Sequence, residues 1–256
     1  MKSLFISSLK RAFMSKWYIA SIIATVIMCY VSSREHISDG TNSVYIIDLM
    51  INLGMFKKVM VFFAAIPFVT VYCQDYNSGY IKSLIVRSSE RNYAWSNVIV
   101  CALSGFTAVF AGMVAYFGIV SFFCPPQAYE TAGVYSNTAL NNPIAYVLLL
   151  ICVISLYSTM WTIVGLTLSS VLPDNYIALG SPLIFGYILE EITLGLPSYL
   201  NLYNLSHGFD VFEKSAFEKS AFLNFFYTMG VFILIMAISG CVFSHFVKRR
   251  SRNEMV

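Results

Sequence analysis

The sequence predicts an all-α integral membrane protein. The expected architecture is six transmembrane helices, an N-terminal amphipathic helix lying in the membrane interface, and one short helix on the cytoplasmic side. Three observations carry this expectation. The 256 residues are 58% hydrophobic and only 11% charged, with mean hydropathy +0.71, whereas soluble domains carry about 25% charged residues. Long apolar runs recur along the whole chain, at lengths that suit membrane spans. The cations gather in the segments that six spans would place on one side.

Taken in order, Lys2 to Lys16 (1–16) places Leu4, Phe5, Leu9, Ala12 and Phe13 at near-helical spacing, with Lys10, Arg11 and Lys16 between them. That pattern fits a helix lying in the interface. No small-residue cleavage site follows it, so no cleavable signal peptide is expected. The first span covers Trp17 to Val31, and the polar stretch "SSREHISDGTNS" ends it. The second span is clear from Val59 to Cys73, with an apolar flank from Val44 to Phe56. Lys57 and Lys58 between them are expected to snorkel to the interface from one long, tilted helix. Pro67 is a candidate kink.

The polar segment Tyr72 to Asn97 comes next. "DYNSG" (Asp75 to Gly79) signals a turn, and Tyr80, Ile81, Leu84 and Ile85 then share one face of a short helix. That face must be buried against headgroups, the chain's own bundle or a partner. Ser88 or Ser89 can cap the following helix. The third span, Asn97 to Phe123, stops at Cys124-Pro125-Pro126, and the loop to Pro143 has no lysine or arginine. The fourth covers Ile144 to Leu172, and Pro173 to Asn175 turns the chain into the fifth, Tyr176 to Leu194, where Pro182 is a further candidate kink. Residues 195–221 form a mixed segment that includes the local duplication "FEKSAFEKSAF" (Phe212 to Phe222). The sixth span runs from Phe222 to Val247, and "KRRSRNEMV" closes the chain. Eleven of the sixteen lysines and arginines fall on the side of the two termini, which places both termini in the cytoplasm. The chain is expected to form a single transmembrane domain over 1–256.

Signatures of covalent chemistry are scarce. There is no phosphate-binding loop of the G-x-x-x-x-G-K-[ST] kind, no H-E-x-x-H and no G-x-S-x-G. The six cysteines form no C-x-x-C pair, and the three histidines, His36, His207 and His245, are far apart in sequence. No metal site and no catalytic residue is expected. Glu190 and Glu191, beside apolar residues near the outer end of the fifth span, suit either an interfacial role or gating and substrate contact. Lys214 or Lys219 could reach them, and Asp48 is a weaker candidate of the same kind. "FFAAIPF", which contains Phe62, Phe63 and Pro67, and "SPLIFGYI", which contains Pro182 and Phe185, could line an amphiphilic route. Ordinary helix packing explains them equally well.

The layout resembles the permease subunits of ABC-2-type transporters, especially small bacterial ones linked to antibiotic-peptide export or immunity. An acidic residue, a glycine, an arginine and an aromatic before the third span match Asp75, Gly79, Arg87 and Tyr93. Where the family often has serine–lysine, this chain has Ser96-Asn97. The resemblance implies a non-enzymatic permease in the bacterial cytoplasmic membrane, paired with a second copy or a paralogue and contacting membrane lipid but no nucleic acid. The cargo would be peptide, lipid-like or drug-like. A separate ATP-binding subunit would hold ATP and Mg, so this chain would carry no cofactor. The cytoplasmic segment 75–92 would be the coupling helix, with Asp75, Gly79, Tyr80, Ile81, Leu84, Ile85, Arg87 and Arg91 as its working residues. Residues 195–221 would form short helices in the outer leaflet. Two rivals are a sensor or scaffold that docks a cytoplasmic partner without transporting, and an intramembrane enzyme.

Overall fold

A computed structural model describes residues 2–37, 41–131, 135–207 and 221–254; the side chains of 2, 3, 54, 82, 85–87, 207 and 251–254 fall outside that description. The described residues form helices and no strand. Four helices are long and apolar enough to cross a membrane: α2 (Lys16–Ser33), α7 (Glu90–Phe123), α9 (Pro143–Val171) and α12 (Ala221–Glu254). The chain is therefore a helical membrane protein. Between and around these lie α1 (Lys2–Phe13), α3 (Ser43–Asn52), α4 (Gly54–Ala65), α5 (Val71–Asn77), α6 (Tyr80–Arg87), α8 (Ser136–Asn141), α10 (Asn175–Thr193) and α11 (Leu202–His207). With 19 residues, α10 spans about 28 Å. The two glutamates near its end lower its hydropathy below that of the four long helices.

The pillar of the bundle is α9, and α4, α7, α10 and α12 all pack on it. Its 29 residues are almost free of charge and rich in Ser and Thr, whose hydroxyls bond back to their own helix. Those internal bonds let the hydroxyls be buried without an outside partner. Glycines set the closest approaches. A Cβ on Gly165 would lie 2.4 Å from Pro182 Cγ, and one on Gly112 would lie 2.7 Å from Thr25 Cβ. These contacts draw α10 onto α9 and α2 onto α7 more tightly than any larger residue permits.

Apolar side chains gather at both ends of the bundle. One cluster joins Phe68, Tyr72, Tyr93, Leu166 and Phe243 with Ala12 and Val247, so α1 and the last turns of α12 share this end, called here the terminal end. The opposite end holds Cys29, Met50, Tyr116 and Tyr146. A third cluster, around Tyr157, Trp161, Leu202, Leu205 and Phe232, lies beside the middle of α9. The apolar face expected of α1 packs here: Ala12 is buried, and Phe5, Leu9 and Phe13 lie against the terminal cluster.

One expected element differs. The region 44–73 is three helices in place of one long tilted one. Leu53 takes an extended conformation (φ −72°, ψ 109°) between α3 and α4, and residues 66–70 form a turn at Pro67 between α4 and α5. Asn52 Nδ2 donates to the Asp48 carbonyl at 2.9 Å, which satisfies the end of α3 and stabilises the break. Pro67 cannot donate a backbone hydrogen bond, so it ends α4 where the sequence suggested a kink.

Candidate functional site

Two buried polar centres stand out, one at the terminal end and one beside the middle of α9.

The terminal centre is built on Asp75. This carboxylate is 2% exposed, so it requires partners. Arg11 Nη1 donates to Oδ1 at 2.6 Å, and the Tyr93 hydroxyl donates to Oδ2 at 2.9 Å. Arg11 Nη2 also reaches Gln74 Oε1 at 3.3 Å. One carboxylate thus ties α1, α5 and α7 together. Four residues later Gly79 takes the left-handed conformation (φ 70°, ψ 1°) and starts α6. Ser89 closes the far side, its Oγ accepting from Asn92 N at 3.3 Å at the start of α7. A cavity of about 460 Å³ opens between α1 and α6, with Ser7, Ser8, Arg11, Asp75, Tyr80 and Ser88 in its wall.

The structure changes the expected face of α6. Ile81 is 7% exposed and belongs to the chain's own terminal cluster, and Leu84 packs against that cluster. The bundle itself covers Ile81, whereas Leu84 is half-buried in the wall of the cavity between α1 and α6. Tyr80 and Ser83 are exposed, as is Arg91 on α7. Ile85 and Arg87 lie on α6, with side chains outside the described set. Ser96 and Asn97 are both buried. A lysine at position 97 would be a buried charge needing its own partner, so asparagine suits the local packing.

The second centre was not expected. Lys57 does not snorkel: it is 1% exposed and faces the bundle interior. Its Nζ donates to Ser206 Oγ at 2.6 Å and to Glu190 Oε1 at 3.3 Å. The ammonium also lies 4.7 Å from the centroid of the Tyr203 ring and 5.6 Å from that of Tyr157, within the range of cation–π attraction. Tyr157 is the central residue of α9, so the pair lies deep in the bundle and not at an interface. Lys58, the next residue round α4, points outward over the Tyr187 ring at 4.1 Å. The expected link from Glu190 to Lys214 or Lys219 falls outside the described residues, as does most of the duplication at 212–222.

Glu190 ends a buried stripe on α10 at four-residue spacing: Ala178, Pro182, Gly186, Glu190. Glu191 and Phe185 are on the exposed side of α10. Phe62 and Phe63 are half-buried on α4, and Pro67 is buried in the turn after it. Of the expected route residues, the stripe brings Pro182 and Glu190 together on one face. After α10, Thr193 Oγ1 donates to the Glu190 carbonyl at 3.0 Å and accepts from Leu202 N at 3.3 Å. These bonds fold residues 194–201 back, so that α11 returns to the bundle and presents Ser206 to Lys57. Sequence reasoning missed Lys57, Ser206, Tyr157 and Tyr203. The available signal was a lysine whose flanks, "GMF" and "VMVFF", are apolar on both sides.

Comparison with protein-family models, with curated proteins and with solved structures gave no match for this chain.

Proposed function

We propose that this chain is the membrane-spanning permease subunit of an ATP-driven transporter of the ABC-2 kind. Its six spans would be α2, α4 with the following turn and α5, α7, α9, α10 and α12, with the terminal end in the cytoplasm. The observation that carries the reading is the Asp75 centre. A short helix hung between a left-handed glycine and a capped long helix is a lever. A buried carboxylate beside that lever, holding three helices, would pass its displacement into the bundle. The ATPase would touch the exposed side of α6 at Tyr80 and Ser83. Nucleotide binding there would shift the population between two arrangements of the helices, and the Lys57–Glu190 pair would hold the closed one. The cargo would be a peptide, lipid-like or drug-like molecule, exported from a bacterial cell.

The test is affinity purification of the full-length chain from its own membranes, with mass spectrometry of what accompanies it. A protein carrying a phosphate-binding loop should co-purify in stoichiometric amount. Its ATP hydrolysis should become uncoupled from the permease in an Asp75→Asn/Tyr93→Phe variant that still inserts. A stoichiometric partner without a nucleotide-binding motif would replace this reading with that of a sensor or scaffold.

A further inference from the structure

A second cavity, of about 590 Å³, lies at the terminal end between the start of α7 and the end of α12. Its wall is Ser89, Glu90 and Arg91 from α7, and Cys241, Ser244, His245 and Lys248 from α12. The α12 residues follow a spacing of three, one and three, which makes a single stripe on that helix. The stripe grades from a thiol through a hydroxyl and an imidazole to an ammonium. Just deeper, Gly240 lets α7 approach α12: a Cβ there would lie 3.1 Å from Val98 and 3.4 Å from Trp95. An indole at this level is the usual mark of the headgroup boundary. Ile238, deeper than Gly240, and Val242, beside the stripe, are exposed on α12.

We propose that this cavity binds the phosphodiester headgroup of an anionic phospholipid from the leaflet at the terminal end. The donors match a phosphate: the Arg91 guanidinium, the Lys248 ammonium, the Ser244 hydroxyl and an imidazole N–H, beside the start of the 34-residue α7. Basic pockets between transmembrane helices on the cytoplasmic side are established headgroup sites. The wall carries two cations, Arg91 and Lys248, and one carboxylate, Glu90, which suits an anionic headgroup better than a zwitterionic one. The exposed Ile238 and Val242 offer the acyl chains a path along α12, which a soluble phosphate would not use. The volume falls within the range of small-molecule sites.

Full-length protein in a neutral detergent is titrated with phosphatidylglycerol, phosphatidylcholine and inorganic phosphate, and retained lipid is counted by native mass spectrometry. One phosphatidylglycerol should be held in preference to phosphatidylcholine. Arg91→Gln/Lys248→Gln should weaken it about 30-fold, since each cation near the surface contributes several-fold to attraction for anionic lipid. Ser244→Phe, which removes the hydroxyl and intrudes on the cavity without changing its charge, should give a comparable loss. Lys10→Gln/Lys16→Gln removes two exposed cations elsewhere and should change little. Equal losses in the two double variants would mean diffuse attraction to the leaflet and overturn the proposal. Displacement of the lipid by millimolar inorganic phosphate, or full retention in Ser244→Phe, would also overturn it.

Discussion

The Lys57–Glu190 pair allows the sharpest test of how this bundle is held. Replacing Lys57 with methionine keeps the length of the side chain and removes its charge. Glu190 is then left with a carboxylate in a site only 6% exposed, and Ser206 Oγ loses its 2.6 Å donor. Stranding one member of a buried ion pair costs about 3–5 kcal/mol, and the lost hydroxyl contact adds about 1 kcal/mol. Removing both charges, in Lys57→Met/Glu190→Gln, takes out both members of this ion pair, and such replacements are often neutral or stabilising. For a chain of this length 1 kcal/mol moves the unfolding midpoint by about 2–4 °C. Lys57→Met should therefore unfold about 8–24 °C below the parent in detergent, with the double variant within a few degrees of it. The two single variants and the double form a cycle whose coupling reports the pair directly. Additive losses, with the double variant as weak as the sum of the singles, would refute the reasoning. Lys57 would then be solvated in a way the 1% exposure denies.

Two further outcomes follow from glycine positions. A Cβ on Gly79 would meet nothing within 4 Å, so Gly79→Ala should cost only the backbone strain of its left-handed conformation, about 1–2 kcal/mol. Gly79→Asn should cost less, because asparagine tolerates that conformation; equal midpoints for the two variants would exclude strain as the reason for glycine. Gly165→Ala would drive a methyl group to 2.4 Å from Pro182 Cγ and 3.1 Å from the Ala178 carbonyl, forcing α10 off α9 at a cost of about 1–3 kcal/mol. Gly118→Ala, where the added carbon meets nothing within 4 Å, should be neutral or slightly stabilising in the same thermal assay.

The helical membrane class was legible because a run of apolar residues has few other uses. Gly79 and the serine cap were legible for a similar reason, since each is a local solution to a backbone problem and local problems leave local signatures. Asp75 was visible as an acidic residue in a polar segment. Its partner Arg11, 64 residues earlier, looked like any basic residue of an N-terminal flank. Lys57 was misread because two adjacent lysines usually share an environment. On α4 they point about 100° apart, which buries Lys57 and leaves Lys58 half-buried over the Tyr187 ring. Its partners are 133 and 149 residues away, and nothing local announces that the chain after α10 folds back. What covers Ile81 was left open among headgroups, the bundle and a partner for a related reason. An apolar face on a short helix predicts that something covers it, and only the packing of α5, α7 and α1 decides what.

The two polar centres meet in their effect on one helix. A single buried stripe holds α10 to its neighbours, and the rest of its surface, including Ile184, Tyr187, Ile188 and Ile192, is exposed. Pro182 interrupts its hydrogen-bond ladder, and the Ala178 carbonyl receives the Ser181 hydroxyl at 3.5 Å. Among the elements packed on α9, α10 is thus the one whose backbone is best able to bend. Glu190 fastens it above the proline. Below the proline, its approach is fastened from the Asp75 region: Asn77, at the end of α5, donates to the Pro173 carbonyl at 3.4 Å, one residue before the cap of α10. Arg250 holds the adjacent end of α9 through the Ser170 and Val171 carbonyls while stacking over Tyr76 of α5. A displacement of α5 and α6 would therefore reach the base of α10 directly, while the Lys57 pair resists it at the other end. The proline between the two is where such a load would be taken up. On the proposed function, the energy supplied at the cytoplasmic end must exceed what the ion pair contributes before the bundle opens.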